Sequence, residues 1–337
     1  MMIYEVTYLV ENLNVKGYLG LPDGIQLTET DVQETVRQAT GTPSYLPIRA
    51  VGVPLVTTSN TDTSSRIETS GKSVDTNQVT TDTQPNDTQP KKKFSDESVR
   101  ADFSLGGGRN ISQESVSDAS EAFPAILYCR GGIGRVGMSR LEWISSFCNL
   151  GFVVFSPWYR GTLGTDGRDE FGGADVADCV MGFRILRQLA CVRANDITLL
   201  GFSRGSINAT LTAIAEPTAS GLIFWGGVSD LAATYEERVD LRRMLRRVIG
   251  HTPRRLPGEY RARSPIRYAD QVPCRTLVVH STHDPQVAFH HGTDMYKALL
   301  EAGVPVTWHG YQGYAHHFDP LIRQAVIERI LSWARHN

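Results

Sequence analysis

The pentapeptide Gly201-Phe202-Ser203-Arg204-Gly205 is the first stretch able to do chemistry. The run Asp196-Ile197-Thr198-Leu199-Leu200 before it reads as a strand and the small residues after it as a helix, so the serine falls on a strand-to-helix turn. A turn that sharp strains the serine backbone and leaves no room for side chains at the flanking positions, which glycine at 201 and 205 satisfies. The hydroxyl is then presented at a helix N-terminus. It is a weak nucleophile near neutral pH, and needs an imidazole within hydrogen-bond reach and a carboxylate that fixes the imidazole tautomer. Without those partners the same glycines would only pack a helix against a sheet.

Both partners have places downstream. Thr276-Leu277-Val278-Val279-His280 reads as a buried strand running into Ser281-Thr282-His283-Asp284, which puts Asp284 just past its carboxyl end. The run 304–310 leads into Tyr311-Gln312-Gly313-Tyr314-Ala315-His316-His317-Phe318. Only one of these adjacent histidines can face the elbow, and His316 is preferred. Asp230 follows an earlier strand and Asp319 lies too close to His316, so these two and Asp294 read as caps and surface charge. His280, His283, His290 and His291 surround Asp284. Their spacing lacks the helical i, i+4 pair and intervening glutamate of a zinc protease, so no metal is expected, and no cofactor.

A tetrahedral oxyanion requires two fixed N–H donors. Arg204, next after the serine, supplies one. Gly131, in Cys129-Arg130-Gly131-Gly132-Ile133-Gly134, is the candidate for the second, the alternative being a connector without a ligand role. Trp158 and Tyr159 end another strand and could wall a substrate site or anchor a loop in the core. Asp175 and Asp178 open a helix and read as structural acids.

These residues need a scaffold. Residues 2–21 alternate as a β-hairpin, so 1–23 is assigned as the N-terminal hairpin of the sheet. Residues 24–120 are read as one polar, largely disordered insertion. From about 57 it is rich in Thr, Ser, Asp, Asn and Gln, with Asp82-Thr83-Gln84-Pro85 repeated as Asp87-Thr88-Gln89-Pro90; a short helix at 28–40 is an option within it. From 121 to 337, apolar runs at 125–129, 152–156, 197–201, 222–225, 275–280 and 304–310 alternate with segments of helical period. With the hairpin this predicts an α/β-hydrolase fold, a mostly parallel eight-stranded sheet with helices on both faces. An arginine-rich helical lid is expected at about 231–262. Its Arg238, Arg242, Arg243, Arg246 and Arg247 read as a solvated face or as an attraction for a carboxylate-bearing substrate.

Bulk properties exclude several classes. With 41% hydrophobic and 21% charged residues in 337, the chain can bury a core, and a net charge of −2 with pI near 6.5 gives no field favouring nucleic acid or an anionic membrane. No signal sequence or membrane-spanning run is seen, so the cytoplasm is expected. The five cysteines lack CxxC spacing and read as small buried hydrophobes. Oligomeric state is not readable.

Residues 123–335 resemble the catalytic domain of the prolyl oligopeptidase-like serine hydrolases. The matches are Tyr159-Arg160-Gly161, Phe171-Gly172-Gly173 with Asp175 and Asp178, the 201–205 elbow, Arg263-Ser264-Pro265-Ile266, the 280–287 segment and Ala315-His316-His317-Phe318. The resemblance implies Ser203 as nucleophile, with Asp284 and His316 as partners, acting through an acyl-enzyme. Family peptidases usually carry a β-propeller ahead of this domain, where only a hairpin and a polar insertion stand here, and Arg130 replaces their common Tyr or His. The reading is therefore a hydrolase of carboxylic esters or small acyl-amides. A peptidase with the same triad is the alternative, and a non-catalytic binding protein of this fold the third reading.

Overall fold

The computed structural model describes residues 1–25, 27–40, 49–51 and 122–335. The repeated Asp-Thr-Gln-Pro segment and most of the expected insertion lie outside them. Two strands, β1 (Met2–Val10) and β2 (Leu13–Leu21), pair antiparallel from Val10 against Leu13. Glu11 and Asn12 between them both take positive φ, 50° and 67°, the two-residue turn whose twist matches a hairpin.

The helical option within the insertion is realised as α1 (Glu29–Thr40). Its start is a reciprocal cap: the Asp31 amide donates to Thr28 Oγ1 at 3.1 Å, and the Thr28 amide donates to Asp31 Oδ2 at 2.7 Å. Val32 and Val36 are buried in the main core. A short strand, β3 (Arg49–Val51), pairs antiparallel with β1. The boundary expected at residue 23 is therefore corrected. A helix that buries two valines and a strand that completes the sheet edge belong to the hydrolase scaffold.

The remaining elements alternate as expected. They are β4 (Phe123–Cys129), α2 (Leu141–Asn149), β5 (Val153–Pro157), α3 (Val176–Gln188), β6 (Val192–Phe202), α4 (Gly205–Ala215), β7 (Gly221–Trp225), α5 (Leu231–Glu237), α6 (Arg242–Ile249), α7 (Pro257–Ala262), β8 (Thr276–Ser281), α8 (Phe289–Glu301), β9 (Val306–Tyr311) and α9 (Pro320–Arg335). The sheet runs β3-β1-β2-β5-β4-β6-β7-β8-β9, one strand more than predicted, and is parallel from β5 to β9.

Alternate residues of each strand point to opposite faces and feed two separate cores. Leu127, Phe155, Leu199 and Phe224 pack with α1, α3, α4 and α8. Ile126, Val154, Leu200 and Ile223 pack with Trp143 and Phe147 of α2 and with Ile330 and Leu331 of α9. Full burial of each such side chain contributes about 1.5–3 kcal/mol, which is why these runs are apolar on both faces. A third cluster joins Leu231, Tyr235, Leu245, Val248 and Tyr260 of α5–α7 to Phe171, Ile207 and Val287. The α/β-hydrolase fold follows from this order. From β4 the chain crosses to β5 on one side, and from β6 to β7 on the other, so the topological switch lies between the carboxyl ends of β4 and β6, where ligands of open α/β sheets bind.

Candidate active site

Ser203 occupies the first residue past β6 with φ 57°, the left-handed region that costs a non-glycine residue on the order of 1–3 kcal/mol. Its amide is held by the Trp225 carbonyl at 2.9 Å. A Cβ at 201 would lie 2.4 Å from the Ser206 Cα, and one at 205 would lie 2.0 Å from the Cys129 carbonyl oxygen, both backbone atoms that cannot give way. The turn after β4 comes equally close, since a Cβ on Gly131 would sit 3.0 Å from the Ser203 Cβ. The switch point thus holds the two turns singled out in the sequence, one against the other.

The structure brings Asp284 and His316 together. His316 Nδ1 and Asp284 Oδ2 are 2.6 Å apart and both side chains are almost fully enclosed. The His316 ring lies 4.8 Å from that of Phe202, the neighbour of Ser203. Asp284 Oδ1 accepts the amides of Gln286 and Val287 at 2.8 and 2.9 Å. Burial pushes the Asp284 carboxyl up, but the His316 hydrogen bond and charge, with these two amides, more than reverse it and hold the carboxyl below its ordinary value. Asp284 is therefore an anion at neutral pH, able to orient an imidazole. His317 is exposed, 5.3 Å from Phe202.

Sequence reading missed Gly226. It follows β7 with φ 50°, and a Cβ there would meet His316 Nδ1 and Cε1 at 3.3 Å and Asp284 Oδ2 at 3.6 Å. The available signal was a Gly226-Gly227 pair directly after an apolar run, the pattern already noted at Gly131-Gly132.

Of the two readings open for Tyr159, the structure takes core anchoring: Tyr159 is fully buried and walls no cleft, while Trp158 is 7% exposed, with Tyr18 edge-on to its ring and Lys16 over it. Tyr159 takes φ 65°, and its hydroxyl donates to the Arg130 carbonyl of the β4 turn at 3.0 Å. Asp175 and Asp178 are buried structural acids, as read. Asp175 pairs with Arg204 at 2.5 Å and accepts from Asn208, and Asp178 pairs with Arg160 at 2.8 Å. Asp230 caps α5 through the amides of Ala232 and Ala233.

Among the described residues Glu237, His290 and His291 bring possible ligand atoms within 4.8 Å of one another. His291 Nδ1 accepts the amides of Ser229 and Asp230 at 3.3 and 3.4 Å, which leaves its proton on Nε2, facing Glu237 Oε2 at 3.2 Å. A metal on Nε2 would displace that proton with nowhere on the ring for it to go. The group is satisfied as hydrogen bonds that tie α5 to α8. In α6, Leu245, Val248 and Ile249 face inward while Arg243, Arg246 and Arg247 are exposed. A cavity of about 410 Å³ lies between α6 and the β4 turn, lined by Ile133, Gly134, Arg168, Asp169, Arg247 and Val248.

The prolyl oligopeptidase family model matches residues 139–337, more than half of the chain. The chain belongs to the prolyl oligopeptidase family. This member is 40% identical over 215 residues to a Bacillus subtilis (strain 168) protein described as an uncharacterized peptidase, YtmA, covering 63% of the chain and 83% of that relative. Its fold is that of a Mycobacterium tuberculosis puromycin-hydrolyzing peptidase (24% identity, TM-score 0.57, 64% of this chain and 34% of that one). It also matches a Pyrococcus horikoshii acylaminoacyl peptidase (21% identity, TM-score 0.56, 64% and 37%). The chain spans about a third of the length of those solved structures. This family member is a serine hydrolase of the α/β-hydrolase fold. None of its described helices is long and apolar enough to cross a membrane.

Proposed function

We propose that this protein hydrolyses small carboxylic esters or short acyl-amides through an acyl-enzyme on Ser203. The observation that carries the reading is the enclosed His316–Asp284 pair, 2.6 Å apart, beside a serine held in the left-handed elbow conformation. His316 Nε2 takes the Ser203 proton as Oγ attacks the substrate carbonyl carbon, and the amides of Arg204 and Gly131 stabilise the oxyanion. Collapse breaks the bond to the leaving group, which departs as alcohol or amine with the proton from His316. Water then attacks the acyl-enzyme by the same route, releasing the acid and restoring Ser203. Throughout, Asp284 remains ionised and stabilises the imidazolium.

A second reading, a peptidase with the same three residues, is favoured by the 40% identity to a relative described as a peptidase. The substrate carried by either reading is a small ester or a short peptide. The test uses the purified full chain and its Ser203→Ala variant with a fluorophosphonate probe, a series of p-nitrophenyl esters and a proline-containing peptide amide. Labelling and turnover that vanish in the variant are expected, and turnover that survives it removes Ser203 from the mechanism. Turnover of the peptide amide at rates matching the esters decides for the peptidase.

A further inference from the structure

The β4 turn carries the proposed second oxyanion donor, and its orientation is set from beneath by buried side chains. In a planar trans peptide the C=O and the following N–H point in opposite directions, so holding a carbonyl aims the amide of the next residue. Three consecutive carbonyls of this turn are held. The Tyr159 hydroxyl donates to the Arg130 oxygen at 3.0 Å, Arg130 Nη1 donates to the Gly131 oxygen at 3.0 Å, and Arg204 Nη1 donates to the Gly132 oxygen at 2.9 Å. The peptide held by Tyr159 is the one whose N–H belongs to Gly131.

The three anchoring side chains form one stack. The Arg130 and Arg204 guanidiniums lie 4.7 and 4.5 Å from the Tyr159 ring centre, and Phe171 is 4.9 Å from Arg204. Arg130 is fixed further by the Trp158 carbonyl at 2.6 Å and Thr162 Oγ1 at 3.0 Å. Arg204 is fixed by Asp169 at 2.7 Å and Asp175 at 2.5 Å. Tyr159 and both arginines are at most 1% exposed. The Tyr159 phenol is pushed well above its ordinary value, chiefly by burial, so the hydroxyl keeps the proton it donates. Parallel pairing of Leu127 with Phe155 brings the ends of β4 and β5 level, so that Tyr159, two residues past β5 with φ 65°, stands within hydrogen-bond reach of Arg130 at the start of the turn.

We propose that Tyr159 is a positioning residue for the oxyanion site: its hydroxyl orients the Arg130–Gly131 peptide so that the Gly131 amide faces the tetrahedral centre on Ser203. The inference rests on the proposed role of Ser203. Tyr159→Phe removes one oxygen and leaves the ring between the guanidiniums. Because loss of a whole oxyanion donor lowers kcat by about 10²–10³, misorientation of one is expected to lower it by roughly tenfold to a hundredfold, with KM for p-nitrophenyl butyrate within about twofold.

The experiment measures kcat and KM per titrated active site for the wild type, Tyr159→Phe and Arg130→Lys, together with inhibition by phenylboronic acid, whose serine adduct is tetrahedral, and by butyrate, which mimics the ground state. Boronate affinity should fall by the same factor as kcat/KM, and butyrate affinity should hold. Arg130→Lys, which keeps the charge and loses the fork, should move in the same direction. Wild-type kcat and boronate affinity in Tyr159→Phe would overturn the inference, as would a loss that falls on KM and butyrate binding alike. Wild-type turnover that survives Ser203→Ala would overturn the reading of the site and this inference with it. Turnover lost in Ser203→Ala but unchanged in Tyr159→Phe defeats the positioning role alone.

Discussion

Gly226 leaves the space that the His316 ring needs: a Cβ at position 226 would stand 3.3 Å from the imidazole Nδ1, the atom that meets Asp284. The glycine also holds φ 50° and donates its amide to Val279 at 2.7 Å.

Gly226→Ala should therefore displace the imidazole by a few tenths of an ångström and strain the backbone. The expected result is a fall in kcat of about tenfold or more, since small misplacements near the reacting atoms carry large rate costs. Unfolding free energy should fall by about 1–3 kcal/mol, the cost of a non-glycine residue at such a φ. Steady-state kinetics and urea unfolding read the two effects separately, and a variant with wild-type kcat would show that the ring has slack.

Asp284 sets an acid limit on stability. Its folded carboxyl lies below its ordinary value, so it contributes stability that is fully present above the unfolded value of about 3.9 and lost as pH falls through the lower folded value. Asp284→Asn should melt below the wild type at pH 7, with the gap closing as pH falls below the unfolded value of about 3.9 and through the lower folded one. It should also lower kcat by about 10⁴, the scale for a mis-set imidazole tautomer. A gap that stays constant with pH would mean the carboxylate charge plays no part.

The adjacent histidines can be told apart by titration. Although the His317 side chain is exposed overall, partial desolvation of its ring comes first, and then the nearby His316 and Arg140, in pushing it down to about 4, so the ring is neutral throughout the pH range 5–8. An acidic limb in kcat/KM is expected as the general base takes up a proton, because an imidazolium cannot accept the serine proton. His317→Gln should leave the limb where it is, whereas His316→Gln should abolish turnover. A limb that disappears with His317→Gln would exchange the two assignments.

How much of this was legible follows from what each signal encodes. Strand, turn and helix order around Ser203, Asp284 and His316 is carried by apolar runs and glycines, both one-dimensional features, and the structure pairs His316 with Asp284 and sets its ring 4.8 Å from that of Phe202. For Tyr159 both a substrate wall and a core anchor were open, because its partner, the Arg130 carbonyl, comes from a distant segment. Arg204 was credited only with its amide, since the partners of its guanidinium, Asp169, Asp175 and Gly132, come from two other segments. β3 has three residues, too few for a period of two to show. α1 was visible as a short-helix option at 28–40 but was assigned to the insertion, because the valines that bind it to the core are only two.

The elbow glycines offer the sharpest contrast in stability. A Cβ at 205 would lie 2.0 Å from the Cys129 oxygen and 2.5 Å from the Arg130 oxygen, so α4 cannot accept alanine there without moving away from the end of β4. At Gly258, on α7, a Cβ would have nothing within 4 Å. Gly205→Ala is expected to cost about 3 kcal/mol or more, the upper end for overpacking a core. Gly258→Ala should stay within about 1 kcal/mol of wild type and tend to stabilise α7, because alanine has the higher helix propensity. Urea midpoints at matched slope decide it. Equal midpoints for the two variants would mean that the β4 turn and the elbow part easily, and with that the close approach on which the oxyanion geometry depends would lose its physical basis.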